Sequence, residues 1–221
     1  MNVMRLSMKV WDAPTRLFHW AIVLLVCASW YFAETDQLPL HFLSGYTILT
    51  LLLFRLVWGV VGSDTARFAN FLRAPGLALR HLAHFARREP DDQIGHNPAG
   101  GWMVAAILAV LAVQVGTGLC SNADFDKAPF ADAVGKSLSD TLSTVHSVAF
   151  TLLQVLVVVH IGAVLAYALL KKQDMVRPMV TGKKRLPANL RAPRMRGALL
   201  ALPILAVCAL LVWGLVSLGG T

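Results

Sequence analysis

The chain has 221 residues, of which 57% are hydrophobic and 14% charged, with a formal net charge of +8 and a mean hydropathy of +0.62. That balance lies outside the range of an ordinary soluble domain and points to the lipid bilayer. The basicity is one-sided: 17 of the 20 Lys and Arg fall in the N-terminus and in the segments 63–98 and 171–196. Retention of basic loops on the inner side of a membrane accounts for this, which makes nucleic acid a poor explanation.

Five stretches are long enough to cross ~30 Å of hydrocarbon at ~1.5 Å per helical residue. They run over about residues 17–33, 40–62, 99–120, 144–170 and 197–218. The first follows Arg5, Lys9 and Arg16 as a secretion signal would. Its apolar run is too long for a signal core and no small-x-small site follows, so it reads as a retained anchor. "ETDQLPLH" is a short outer hairpin into the second span. The stretch "RFANFLRAPGLALRHLAHFARRE" is too polar to cross. From Pro75 onward it places Arg80, His84, Arg87 and Arg88 on one helical face and Ala78, Leu82 and Phe85 on the other, as in a helix lying among headgroups. His81 and His84 there read as interfacial polar residues.

"GHNPAGG" offers Asn97 as N-cap and Pro98 at the first helical position of the third span. The outer loop after it carries Asp124, Asp126, Asp132 and Asp140 against Lys127 and Lys136, a mildly acidic face. With the basic segments inside, the N-terminus is cytoplasmic and the C-terminus periplasmic, and the composition suits a bacterial inner membrane. Cys27, Cys120 and Cys208 show no CxxC spacing and read as buried thiols. No CxxCH is present, which excludes covalent haem attachment.

Four of the seven histidines lie in or at the edge of spans: His19, His41, His146 and His160. An ionisable residue inside a membrane is costly and marks a functional candidate. His146 and His160 are fourteen residues apart, a rise of ~21 Å over almost four full turns, so they share one face at two depths. They cannot bind one small ion together, since ligands lie ~2 Å from it. With the N-terminus inside, depth pairs His19 with His160 near the inner face and His41 with His146 near the outer. Two imidazoles flanking a large apolar macrocycle is the chemistry of haem b, and saturated axial positions favour electron transfer.

Arg55 follows His41 by fourteen residues and so shares its face at the depth of the inner pair. A haem propionate is a ready partner for it there, and snorkelling to the inner surface is the alternative. Gly45, Gly116, Gly118 and Gly162 fit close helix packing or clearance for a flat macrocycle. Gln114 and Gln154 read as interhelical hydrogen-bonding groups, with a quinone contact as the alternative.

"VWDAPTRLFHW", "LHFLSGYTILTLLLFRLVWGVVGS", "GHNPAGG" and the H-x13-H of the fourth span together resemble the bacterial cytochrome b561 and nickel–iron hydrogenase b-subunit family, over about residues 8–175. The resemblance implies an all-α integral membrane fold, a four-helix transmembrane bundle binding two haems b, with a fifth C-terminal helix added. On that reading 8–175 is the haem bundle, including the interfacial segment 63–98. Residues 176–196 are then a basic cytoplasmic linker and 197–218 the added helix. Axial ligands fall on His19, His41, His146 and His160. Family members pass electrons between membrane quinone and a redox partner, a hydrogenase-like enzyme or a c-type cytochrome. Reaction specificity then belongs to the partner, and no catalytic residue is expected in this chain. The alternative implied is a stand-alone superoxide:quinone oxidoreductase, which the mildly acidic outer loop disfavours. A haem-free histidine relay lacks the broken helices of a transporter.

Overall fold

The computed structural model describes residues 4–85, 87, 91–122 and 127–219. In chain order the elements are β1 (Arg5–Lys9), α1 (Ala13–Glu34), α2 (Leu38–Val61), α3 (Phe68–Phe71), α4 (Pro75–Ala83), α5 (Pro98–Gly118), α6 (Ala131–Val134), α7 (Lys136–Leu170), α8 (Val176–Thr181), β2 (Lys183–Pro187) and α9 (Ala201–Gly219), the last entered by a 3-10 turn. Helices α1, α2, α5, α7 and α9 with its turn are long and apolar enough to cross a membrane. In hydrocarbon a backbone must satisfy its own N–H and C=O groups, and helices do so within one segment. The chain is a multi-pass, all-α membrane protein, as the hydropathy pattern predicts.

Local chemistry sets the helix ends. Asn97 caps α5, its Oδ1 accepting from Gly100 N at 2.7 Å, with Pro98 in the first turn. α7 starts at Lys136, about two turns before the expected 144. The added "KSLSDTLS" is too polar for a hydropathy window, yet it contains no helix breaker. Thr141 and Thr144 fold their hydroxyls back onto Ser137 O and Asp140 O. α4 is shorter than expected: His84 closes it by donating its amide to Arg80 O, so Arg87 lies past its end. Arg88, Asp124 and Asp126 lie outside the described residues. Of the three thiols expected to be buried only Cys208 is; Cys120 is half-buried and Cys27 exposed.

The chain divides into two compact units. The first comprises Met1–Leu17, Leu56–Ala106 and Leu156–Ala201. Here β1 pairs antiparallel with β2, Ser7 opposite Arg185, and Val10, Trp11 and Leu186 form a small core with Met8, Ile94, Met179 and Leu190 around it. Gly182 ends α8 at φ +78°, and its carbonyl accepts from Val10 N and Trp11 N. A Cβ there would stand 2.8 Å from Trp11 O, so both conformation and space call for glycine. Asp12 is buried and caps α1: Oδ1 accepts from Thr15 N at 2.8 Å, and Oδ2 from the buried Trp58 Nε1 at 3.1 Å. The segment 176–196, expected as a linker, therefore holds a helix and a strand.

The histidines of this unit other than His160 are built into its packing. His81 Nε2 lies 2.6 Å from Tyr167 Oη, which also accepts from Asn97 Nδ2 at 2.9 Å. His84 Nδ1 donates to Arg80 O. His96 sits between Trp11 and Phe71, with ring centroids 4.7 and 4.6 Å away. His81 is thus more than an interfacial polar residue.

The second unit comprises Phe18–Arg55, Ile107–Val155 and Leu202–Thr221. It holds most of α1 and α2, the later part of α5, the earlier part of α7, and α9.

Candidate functional site

Within the second unit α2 and α7 bring His41 and His146 together. Their ring centroids are 6.2 Å apart and their planes 84° from parallel. Both side chains are half-buried.

Each ring is oriented by a main-chain carbonyl of a neighbouring helix. His41 Nδ1 lies 2.9 Å from Ser29 O on α1, with Ser29 Oγ at 3.1 Å. His146 Nδ1 lies 2.8 Å from Gln114 O on α5, with Thr117 Oγ1 at 3.5 Å. A carbonyl oxygen can only accept, so Nδ1 carries a proton in both rings. Gln114 supports this independently for His146, because its Nε2 reaches His146 Nε2 at 3.0 Å and an amide nitrogen can only donate. Imidazoles held by an Nδ1–H···O=C bond are oriented as metal-ligating histidines are, with Nε2 as the ligating atom.

Gly118, on α5, is the close neighbour that keeps His146 in place. A Cβ there would stand 2.8 Å from Cε1 and 3.1 Å from Nδ1 of His146. It leaves clearance for an imidazole of α7, which is the close-packing reading of the glycines. Gly45, Gly116 and Gly162 meet no described atom within 4 Å of an added Cβ, so close helix packing does not explain them.

The donor set decides which group these residues can hold. No cluster of three or more His, Cys, Asp or Glu that could hold a bare metal ion occurs among the described residues. Two imidazoles binding one ion from opposite sides have ring centroids roughly 6 Å apart, from two ~2 Å metal–nitrogen bonds and two ring half-widths. The 6.2 Å seen here agrees with that spacing, and in haem b a macrocycle would supply the remaining donors. Gln114 adapts to such use. Its amide holds the lone pair that a metal would take, while its buried Oε1 has no hydrogen-bond partner in the described structure. Turning the amide aside forfeits one hydrogen bond, of about 0.5–1.5 kcal/mol.

Of the other sequence candidates, His19 on α1 and His160 on α7 are each half-buried and belong to different units. Arg55, on α2 in the same unit as His41, is 2% exposed. Ser29 was not singled out by the sequence, and Gln114 was singled out only for its amide. Both orient a histidine through the carbonyl that every residue carries, so residue type gives no signal for that role.

Residues 10–182 match the family of prokaryotic cytochrome b561. Curated relatives are named probable Ni/Fe-hydrogenase B-type cytochrome subunits. The one from Rhodobacter capsulatus is 25% identical over 217 residues, covering 81% of this chain and 82% of its own length. The one from Azotobacter vinelandii is 26% identical over 210 residues, covering 80% and 88%. The one from Rhizobium leguminosarum is 23% identical over 217 residues, covering 81% and 90%. No solved structure matches the chain significantly. The fold, the paired imidazoles and the match agree: this chain belongs to the prokaryotic cytochrome b561 family, as a membrane b-type cytochrome that transfers electrons.

Proposed function

We propose that the chain carries electrons across the bacterial inner membrane, between the quinone pool and a redox partner protein, through two bis-imidazole haems b. His41 and His146 hold the outer haem, and His19 and His160 the inner one. The observation that carries this reading is the 6.2 Å spacing of His41 and His146, each donating Nδ1–H to a main-chain carbonyl. When bound, haem b would supply one-electron iron chemistry, and the four histidines would hold it. The protein fixes the rings, keeps Nε2 unprotonated and excludes water from the span. Arg55 pairs with a propionate of the inner haem; its burial supports this over snorkelling, which exposes a guanidinium.

Residues 8–175 form the haem-binding bundle and 197–218 an added membrane helix, joined through the folded cytoplasmic segment 176–196. The basic segments support a cytoplasmic N-terminus and a periplasmic C-terminus. The names of the relatives favour a hydrogenase-like enzyme as redox partner. Substrate specificity then lies in that enzyme.

The test is haem content and its response to ligand loss. The purified protein is expected to hold two low-spin haems b per chain by pyridine haemochrome and electron paramagnetic resonance. His41→Ala and His146→Ala each remove one haem, the same one. His19→Ala and His160→Ala each remove the other. One haem per native chain, or loss of the same centre in His19→Ala and His41→Ala, overturns the scheme.

A further inference from the structure

Within the first unit two cavities of about 440 and 280 Å3 share Asp64 and Arg67 in their linings. Arg73 borders the first, and Arg194 and Arg196 the second, so four arginines and a single carboxylate, Asp64, line the two. That carboxylate is already engaged. Asp64 Oδ2 accepts from Arg194 N at 2.9 Å, and Oδ1 lies 3.7 Å from Arg67 Nη1. Asp64 N donates to Arg194 O, and Arg196 N to Ser63 Oγ at 2.9 Å. These bonds to the main chain of 194–196 hold it beside 63–64 and fix the roots of both arginines. The guanidiniums of Arg73, Arg194 and Arg196 form no ion pair among the described residues.

An excess of forked N–H donors around a concave site selects a phosphate or carboxylate. The apolar surroundings narrow the choice. Phe71 and Pro98 line the first cavity. Trp102, on the first turns of the membrane-crossing α5, donates Nε1 to Arg73 O at 2.9 Å while its ring stays exposed. The intervening α4 exposes Leu77, Leu79 and Leu82. Arginine beside exposed tryptophan and leucine is the chemistry of a water–lipid boundary. A ligand matching both features carries a phosphodiester at one end and hydrocarbon at the other.

We propose that this double cavity binds the headgroup of an anionic phospholipid of the cytoplasmic leaflet. The site rests on the cytoplasmic placement of segments 63–98 and 171–196 given above. Cavities of this volume suit one headgroup better than an acidic peptide, and basic pockets beside membrane helices on the cytoplasmic side are where such lipids are held.

The full-length protein, haem-loaded and in mild detergent, is titrated with phosphatidylglycerol, phosphatidylcholine and inorganic phosphate, with binding read by native mass spectrometry and thermal unfolding. Phosphatidylglycerol is expected to bind roughly tenfold or more tighter than phosphatidylcholine. Arg73→Gln with Arg194→Gln is expected to abolish that preference at unchanged haem content, and the double lysine variant to retain most of it. Equal binding of the two lipids, an unaltered preference in the glutamine variant, or displacement of the lipid by equimolar inorganic phosphate overturns the proposal. So does selective protection by an acidic peptide in place of the lipid. Labelling of a cysteine introduced at Arg73 from each side of the membrane reads the orientation separately. Periplasmic labelling with lipid preference intact refutes the placement and not the cavity.

Discussion

Asp12 in the first unit and His146 in the second are polar side chains within a membrane protein, and they are satisfied in opposite ways. Asp12 has both oxygens engaged, by Thr15 N and Trp58 Nε1. Nearby in that unit Lys184 is closed in the same manner, by Asp91 at 2.5 Å and Gln93 O. His146 has one nitrogen fixed by Gln114 O, while the other meets an amide whose own oxygen is unsatisfied. Buried polar groups are normally paired, and an incompletely satisfied cluster points to a use outside the fold itself. The contacts of Asp12 maintain shape. Those of His41 and His146 orient a pair of donors for something else.

The sharpest way to break this contrast is Gly118→Val. The new Cβ falls 2.8 Å from His146 Cε1, and the branched side chain cannot yield within α5. The imidazole must leave Gln114 O, so the outer haem is expected to be lost from most chains, bringing the haem count towards one. Gly118→Ala is expected to do the same in part. Two haems per chain with unchanged spectra in Gly118→Val would remove the glycine from the site.

Asp12→Ala tests the other half of the comparison and is expected to be silent in the haem spectra. It removes an N-cap of about 1–2 kcal/mol and leaves buried Trp58 Nε1 without its acceptor, at about 1–3 kcal/mol. Thermal unfolding should register a loss of roughly 2–5 kcal/mol in all. Asp12→Asn keeps an acceptor oxygen for one of the two donors and should cost less. A haem spectrum altered by Asp12→Ala would mean that the scaffold and the ligands are not separable.

The same contrast explains what could be read in advance. The spans, the Asn97 cap and the four membrane histidines are written in side-chain type and spacing, which hydropathy and helical geometry decode. The β1–β2 pairing is not, because it joins Arg5–Lys9 to Lys183–Pro187, two basic segments at opposite ends of the chain that nothing local marks as partners. The carbonyls of Ser29 and Gln114 are invisible for another reason: main-chain acceptors are common to all residues. The early start of α7 escaped because hydropathy finds the buried part of a helix and misses the turns standing in water.

Arg55 gives the smallest expected effect and the finest test. It is buried, and regular α2 geometry puts it on the face of His41 at the depth of the proposed inner haem. A fixed positive charge stabilises the ferrous form, whose net charge is one unit more negative than the ferric. Arg55→Leu should therefore lower the inner haem's midpoint potential and leave the outer nearly unmoved. At an effective dielectric of ~20 a charge several ångströms away is worth about 1–3 kcal/mol, and ~59 mV is a tenfold change for one electron. The expected shift is several tens of millivolts downward in a redox titration. Arg55→Lys keeps the charge but not the fork, so it should restore most of the potential if charge is the cause. An unchanged inner potential in Arg55→Leu, with both haems retained, would mean that this guanidinium is matched by the protein and not by a propionate.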